Sequence, residues 1–202
     1  MTKTWPAMTI AEATALLTAP GAPFEMETLE IRGRPTRTWK NAPPSLQHCF
    51  AAGRAHGGRI FLVHEGERVT FEAFARATIR LAEHMKSLGV KPGDRVAIAM
   101  RNVPEWPVAF YAAQLAGAIV TPLNAWWTGA ELEYGLADSG ACLLVADAER
   151  VGPDGAGAAG LRVEEVGRGG LAAVAHGAVP RGELWNDSTV RVVRKPRPEL
   201  PG

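Results

Sequence analysis

Apolar positions recur with a helical period from Phe71 onward. Phe71, Phe74, Ala75, Thr78, Leu81, Ala82, Met85 and Leu88 fall at i, i+3, i+4 and i+7, with Glu72, Arg76, Arg80, Glu83 and Lys86 between them. This spacing predicts an amphipathic helix of about 18 residues, capped by Thr70 and ended by Gly89 in the left-handed conformation. Upstream, the run from Arg59 to Phe71 has two β-branched and aromatic halves around Glu65-Gly66, which predicts a β-hairpin. Further upstream, Thr9 stands three before Glu12, a capping box opening a short helix with Ile10, Ala13, Leu16 and Leu17 on one stripe. Pro20-Gly21 stops that helix. From Pro23 to Pro44 the chain reads as extended or looped, with alternation at Leu29 to Gly33 and an exposed stretch at Thr36 to Pro44. Pro43-Pro44 marks a boundary, because each proline disfavours helical geometry in the residue before it. Ser45 then caps a helix to about His56, with Leu46, Cys49 and Phe50 facing one way.

The next stretch sets the architecture. Lys91 to Asp94 is a turn, and Arg95 to Met100 is a short apolar strand. Asn102 is placed to cap a helix with Pro104 in its first turn, running to Ala116 and ending at Gly117. A strand over Ala118 to Leu123 follows. Thr128 and Glu131 form a second capping box, opening a helix to Ser139 with Gly140 beyond it. Ala141 to Ala146 is the third strand. Each strand is nearly continuous in apolar residues, which predicts parallel strands with helices on both faces and right-handed crossovers.

After Asp147 the pattern weakens. Gly152 to Gly160 reads as a Gly/Ala-rich linker, while Leu161 to Val166 and Thr189 to Val193 suit short strands. The end, Arg194 to Gly202, is basic and proline-rich. It reads as a solvated tail more readily than as a PxxP ligand.

Composition narrows the function classes. The chain has 202 residues, 47% hydrophobic, with 22 basic against 21 acidic side chains and a net charge of +1. That balance gives no electrostatic reason to expect nucleic acid as a partner. No apolar run is long enough for a transmembrane helix. The N-terminus lacks the continuous apolar core of a secretory signal, so a cytoplasmic location is expected. Glycine occurs 12 times in residues 1–150 and 10 times in the last 52, so its density more than doubles where the pattern weakens.

Candidate chemistry is sparse. Cys49 and Cys142 read as two reduced, buried thiols. His48, His56, His64, His84 and His176 are scattered, with no metal-ligand spacing. Gly155-Ala-Gly157-Ala-Ala-Gly160 matches GxGxxG in letters. It follows no strand directly and precedes an alternating segment rather than a helix, so it reads as linker. Trp126-Trp127 sits in a βα loop at the carboxyl end of a parallel strand, where ligands bind in open α/β sheets. With no polar partner in view, a structural wedge is the favoured reading. Glu164-Glu165 are adjacent on a presumed strand and face opposite sides. There is no GxSxG elbow and no GxxxxGK[ST] loop.

Taken together, the stretch from Trp39 to Asp147 strongly resembles the N-terminal part of AMP-forming fatty-acid and other acyl-CoA synthetases of the adenylate-forming superfamily. Three phrases carry the resemblance: Leu88 to Ile98 (LGVKPGDRVAI), Asn102 to Trp106 (NVPEW) and Pro122 to Asn124 (PLN). The resemblance implies an α/β fold, a mostly parallel sheet with flanking helices plus a β-hairpin, as an incomplete N-terminal subdomain of the adenylate-forming fold. It implies residues 1–44 as an N-terminal helix and extended arm and 45–150 as the α/β subdomain. Residues 151–202 are then a poorly ordered Gly/Pro-rich segment.

For function, the resemblance implies ATP-dependent adenylation of a carboxylic (fatty) acid and then thioesterification with CoA, with Mg²⁺ on the phosphates. The family's Thr/Ser/Gly-rich phosphate loop, resembling YTSGTTGxPKG, does not occur in these 202 residues. No catalytic, cofactor-binding or metal-binding residue is therefore assigned, and no cofactor is expected in this chain alone. ATP, Mg²⁺ and CoA belong to full-length relatives. The chain is expected to be a truncated product or fragment, inactive alone. The alternative is a non-catalytic module that associates with a full-length relative or with itself through exposed sheet edges.

Overall fold

In this computed structural model the described residues are 7–147, together with the backbone of 162–164 and 190–194. The chain divides into two compact units, Met1–Ser45 and Leu46–Gly202.

In the first unit, α1 spans Ile10–Thr18, and its capping box forms as the spacing predicts, with Thr9 and Glu12 bonding reciprocally. The extended stretch after it proves to be a hairpin. β1 (Met26–Ile31) and β2 (Arg34–Trp39) pair antiparallel over six positions, from Met26 opposite Trp39 to Ile31 opposite Arg34. Its turn is Arg32-Gly33, both at positive φ (52° and 75°), the type I′ geometry whose twist matches that of the strands. Glycine accepts that φ without steric cost, and Arg32 takes it because the hairpin register leaves a two-residue connection. No residue of 7–45 is buried.

The second unit holds the core. α2 spans Leu46–Arg54, and β3 (Ile60–His64) and β4 (Glu67–Thr70) form the expected hairpin around Glu65-Gly66. α3 runs Phe71–Ser87, with the Thr70 hydroxyl accepting the Ala73 N–H and Gly89 at φ 86°. Leu81 and Met85 are fully enclosed, and truncating either would cost about 2–5 kcal/mol. Thr78 is equally enclosed, and its hydroxyl donates to the Phe74 carbonyl, so its burial leaves no orphaned donor.

The alternation then appears as expected: β5 (Arg95–Ala99), α4 (Glu105–Leu115), β6 (Ile119–Pro122), α5 (Gly129–Ser139) and β7 (Leu143–Asp147). One expectation fails: Asn102 does not cap α4. The N-cap is Pro104, in helical geometry and with no side-chain capping bond. The Val103 N–H is drawn to the Arg101 carbonyl and the Trp106 N–H to the Val103 carbonyl, so the chain tightens first and the helix starts later. Pro107 in its first turn also removes one of the N–H groups a cap would serve.

β8 (Arg162–Glu164) and β9 (Val190–Arg194) complete a five-stranded sheet in the order β6-β5-β7-β9-β8. β5 pairs parallel with β6 and β7, while β9 runs antiparallel to β7 and β8 antiparallel to β9. The flank of β7 is thus paired rather than open, and β6 is an outer strand. Gly152 to Gly160 and the segment from Lys195 to Gly202 lie outside the described residues, so the linker and tail readings concern nothing seen here.

Side-chain alternation splits the core between the two sheet faces. Val96, Ile98 and Met100 join α3 and α4 in one cluster. Ala97, Ala99, Leu144 and Ala146 join Leu123 and Leu132 in another. From β5 the chain crosses to β6 over the first face; from β6 it crosses back to β7 over the second. Opposite directions on opposite faces give both crossovers the same hand, as the right-handed rule requires.

Candidate functional site

The carboxyl ends of β5, β6 and β7 lie on one edge of the sheet because the three strands are parallel. This is the edge at which open α/β sheets place ligands. The loops after β5 and β6 start there, and their first polar residues, with the last residue of β7, build the candidate site.

Arg101 follows β5 directly, and Asp147 ends β7. The Arg101 backbone N–H and Nε donate to the same Asp147 oxygen, at 3.0 and 3.2 Å. The Asp147 side chain is 1% exposed and that of Arg101 is 35% exposed. A carboxylate so enclosed is tolerable only with charge-assisted partners, and the pair ties adjacent strand ends together at the middle of the edge. Glu105, in the first turn of α4, is also buried. There its carboxylate meets the positive end of the helix dipole.

The loop after β6 holds the two tryptophans, and the structure separates them. The Asn124 carbonyl accepts the Trp127 N–H at 3.1 Å and its side-chain oxygen accepts the Trp126 N–H at 2.9 Å, which pins the loop. Trp127 packs against the second cluster, so close to α5 that a Cβ on Gly135 would lie 2.8 Å from its ring. The wedge reading therefore holds for Trp127, while Trp126 is 80% exposed. Directly after them the second capping box forms, with the Thr128 hydroxyl accepting the Glu131 N–H. The hydrogen bond from the Thr128 backbone N–H, and then that from its hydroxyl, hold the Glu131 carboxyl below its ordinary pKa.

Other candidates stay apart. Neither Cys49 nor Cys142 is in a disulfide, as expected, but both are half-buried rather than buried. Cys49 lies on short α2, which packs through Phe50 as its one buried residue, and Cys142 precedes β7. Glu164 lies on β8; its neighbour Glu165 and the Gly155–Gly160 motif lie outside the described residues, as does His176. Among the described residues no group of three His, Cys, Asp or Glu side chains could hold a metal ion. The Arg101–Asp147 pair was not read from the sequence, since its members are 46 positions apart. The available signal was a charged residue directly ending two apolar strand runs. The arrangement can order strand ends and a loop; no nucleophile with its base comes together on this edge among the described residues.

A family model described as AMP-binding enzyme matches residues 49–196. A feruloyl-CoA synthase of Amycolatopsis is 40% identical over 102 residues, covering 50% of this chain and 21% of that protein. A long-chain-fatty-acid–CoA ligase of Salmonella typhimurium is 39% identical over 103 residues, covering 50% and 18%. The matched stretch thus spans about a fifth of the length of these curated relatives. Among solved structures, the N-terminal subdomain of Klebsiella oxytoca NpsA aligns with a TM-score of 0.46 at 23% identity, covering 48% of this chain and 25% of that one.

Proposed function

The chain belongs to the AMP-binding enzyme family, and we propose that it forms the N-terminal part of an ATP-dependent acyl-CoA synthetase. The observation that carries this reading is the pair of relatives near 40% identity, both named for making CoA thioesters. In the proposed reaction a substrate carboxylate attacks the α-phosphorus of ATP and pyrophosphate leaves, giving an acyl adenylate. The CoA sulfur then attacks the acyl carbon and AMP leaves.

The described residues supply scaffold to that chemistry. A parallel sheet anchors the loops after β5 and β6, and the Arg101–Asp147 bonds keep two strand ends in register. No group of three His, Cys, Asp or Glu side chains comes together among the described residues, and no step is assigned to a metal here. Phosphate transfer needs a converging set of donors, and the 202 residues contain neither a TSGTTG-like loop nor a GxxxxGK[ST] loop. We therefore expect the chain alone to be inactive. No helix among the described residues is long and apolar enough to cross a membrane, in keeping with a cytoplasmic role.

The second reading, an associating module, draws on the first unit. Eight large apolar side chains there are exposed, Ile10 at 88%, a pattern that marks interaction surfaces.

The test is complementation. The chain is mixed with a feruloyl-CoA synthase lacking the matched stretch, and pyrophosphate release is followed with ferulate, ATP and CoA. We expect background rates from either piece and measurable turnover from the mixture. Turnover by the chain alone would overturn its inactivity; background rates from the mixture would overturn the ligase assignment.

A further inference from the structure

The β1–β2 hairpin is a two-stranded sheet of its own, so each of its strands has an open edge. Which groups face that edge follows from the ladder. The Lys40 N–H donates to the Glu25 carbonyl at 2.9 Å, and opposed residues in an antiparallel pair alternate between bonded and non-bonded. Glu27, Leu29 and Ile31 therefore bond to β2, while Met26, Thr28 and Glu30 turn their N–H and C=O groups away from it. On β2 the same parity turns out Pro35, Arg37 and Trp39. Pro35 has no N–H, and its ring obstructs an arriving strand, which blunts that edge. β1 carries no such block. Its residues from Thr28 to Ile31 are exposed. Other outer strands are protected: β6 has four residues and ends in Pro122, and a register shift between Ile60 and Leu62 interrupts β3.

The charge pattern selects what β1 accepts. The charged residues of β1 are acidic, Glu27 and Glu30, and those of β2 are basic, Arg34 and Arg37. A second copy arriving through its β2 would match in charge, but Pro35 bars it, and such head-to-tail addition would not close. Two β1 strands meeting antiparallel about a two-fold axis at Thr28 do close. That register sets Met26 opposite the second copy's Glu30, Glu27 opposite its Leu29 and Thr28 opposite its Thr28. No carboxylate then faces another directly, and the central threonines form a favourable cross-strand pair. Moving the axis to Glu27 would set two carboxylates face to face. We propose that the protein self-associates through β1, giving a sheet in the order β2-β1-β1-β2 with Pro35 on both outer edges. This rests on the associating reading above and names its partner, a second copy of the chain. Leu29 and Ile31, each 45% exposed, share one face of that sheet and gain cover from the arriving strand.

Sedimentation velocity on the 202-residue chain, from about 5 µM to about 1 mM, reads the association. Two short strands make a small interface, so the dimer should have a Kd between about 10 µM and 1 mM. Thr28→Pro, at an N–H the hairpin does not use, should weaken association by about tenfold or more. Arg37→Pro, at the outward position opposite Thr28 on β2, should leave it unchanged. Oxidation with copper phenanthroline in a Cys49→Ser/Cys142→Ser background is the second readout. The axis holds the two copies of position 28 about 5.5 Å apart, within disulfide reach. The two copies of position 37 lie three strand spacings apart, about 14 Å. Thr28→Cys should therefore cross-link into dimers and Arg37→Cys should not. A chain that is monomeric at every concentration would overturn self-association altogether. Association that survives Thr28→Pro, or equal cross-linking at the two positions, would overturn the β1 edge and leave the associating reading standing.

Discussion

Arg101 grips Asp147 twice, through its backbone N–H at 3.0 Å and its Nε at 3.2 Å, both on one carboxylate oxygen. The two bonds join the ends of β5 and β7, neighbours in space but separated in the chain by a whole strand and two helices. Enclosure makes the pair unequal. Removing the Arg101 side chain takes the charged donor from an enclosed carboxylate and leaves it the backbone N–H, whereas neutralising Asp147 lets a partly exposed guanidinium turn to water.

Arg101→Met should therefore destabilise the fold by about 2–4 kcal/mol, and Asp147→Asn by about 1–2 kcal/mol. Urea unfolding followed by circular dichroism gives both values. A larger loss in Asp147→Asn would contradict the asymmetry.

Gly135 is the seat of the Trp127 ring. Alanine is the better helix former by about 1 kcal/mol, but its Cβ would lie 2.8 Å from Trp127 and 3.3 Å from Leu123. Overpacking should win, with Gly135→Ala destabilising by about 1–3 kcal/mol. Combining it with Trp127→Leu should recover part of that loss, as a double-mutant cycle reads. Gly129, with nothing within 4 Å of its Cβ position, is the control: Gly129→Ala should stabilise by about 0.5 kcal/mol.

The capping box of α5 predicts a pH dependence. The folded-state pKa of Glu131 is lowered by the Thr128 hydrogen bonds. Its contribution is present above the unfolded pKa and is lost as pH falls through the folded value. The melting temperature of Glu131→Gln should therefore lie below that of the wild type at neutral pH, and the gap should close below the ordinary carboxylate range near 4.5. A gap that widens on acidification would reverse the sign.

The two units predict separability. Because residues 7–45 bury no side chain, a chain starting at Leu46 should keep its cooperative thermal transition. A peptide of residues 1–45 should show no cooperative melt, since it lacks a core to offset its ordering entropy. Loss of the transition in the shorter chain would show the units to be interdependent.

Much of this fold was legible locally. The Thr9–Glu12 and Thr128–Glu131 capping boxes, the Glu65-Gly66 turn and the period of α3 each depend on residues within a few positions of one another, where spacing is geometry. The β1–β2 hairpin was missed because Arg32-Gly33 is a weaker turn signal than Asn-Gly and its flanking strands stay polar and exposed. Asn102 misled for the opposite reason: a good capping residue stood two residues before the observed N-cap, Pro104.

The α/β alternation, the hairpin before α3, both capping boxes and, by resemblance, the family follow from the residues and their spacing alone. Three-dimensional packing was needed to place β5 between β6 and β7, to set β9 antiparallel beside β7, and to bring Arg101 to Asp147. It also divided the tryptophans, seating Trp127 on Gly135 and leaving Trp126 in solvent. Strand order and long-range charge pairing depend on which surfaces meet once the chain is closed. No local period encodes that, because the meeting partners are dozens of residues apart.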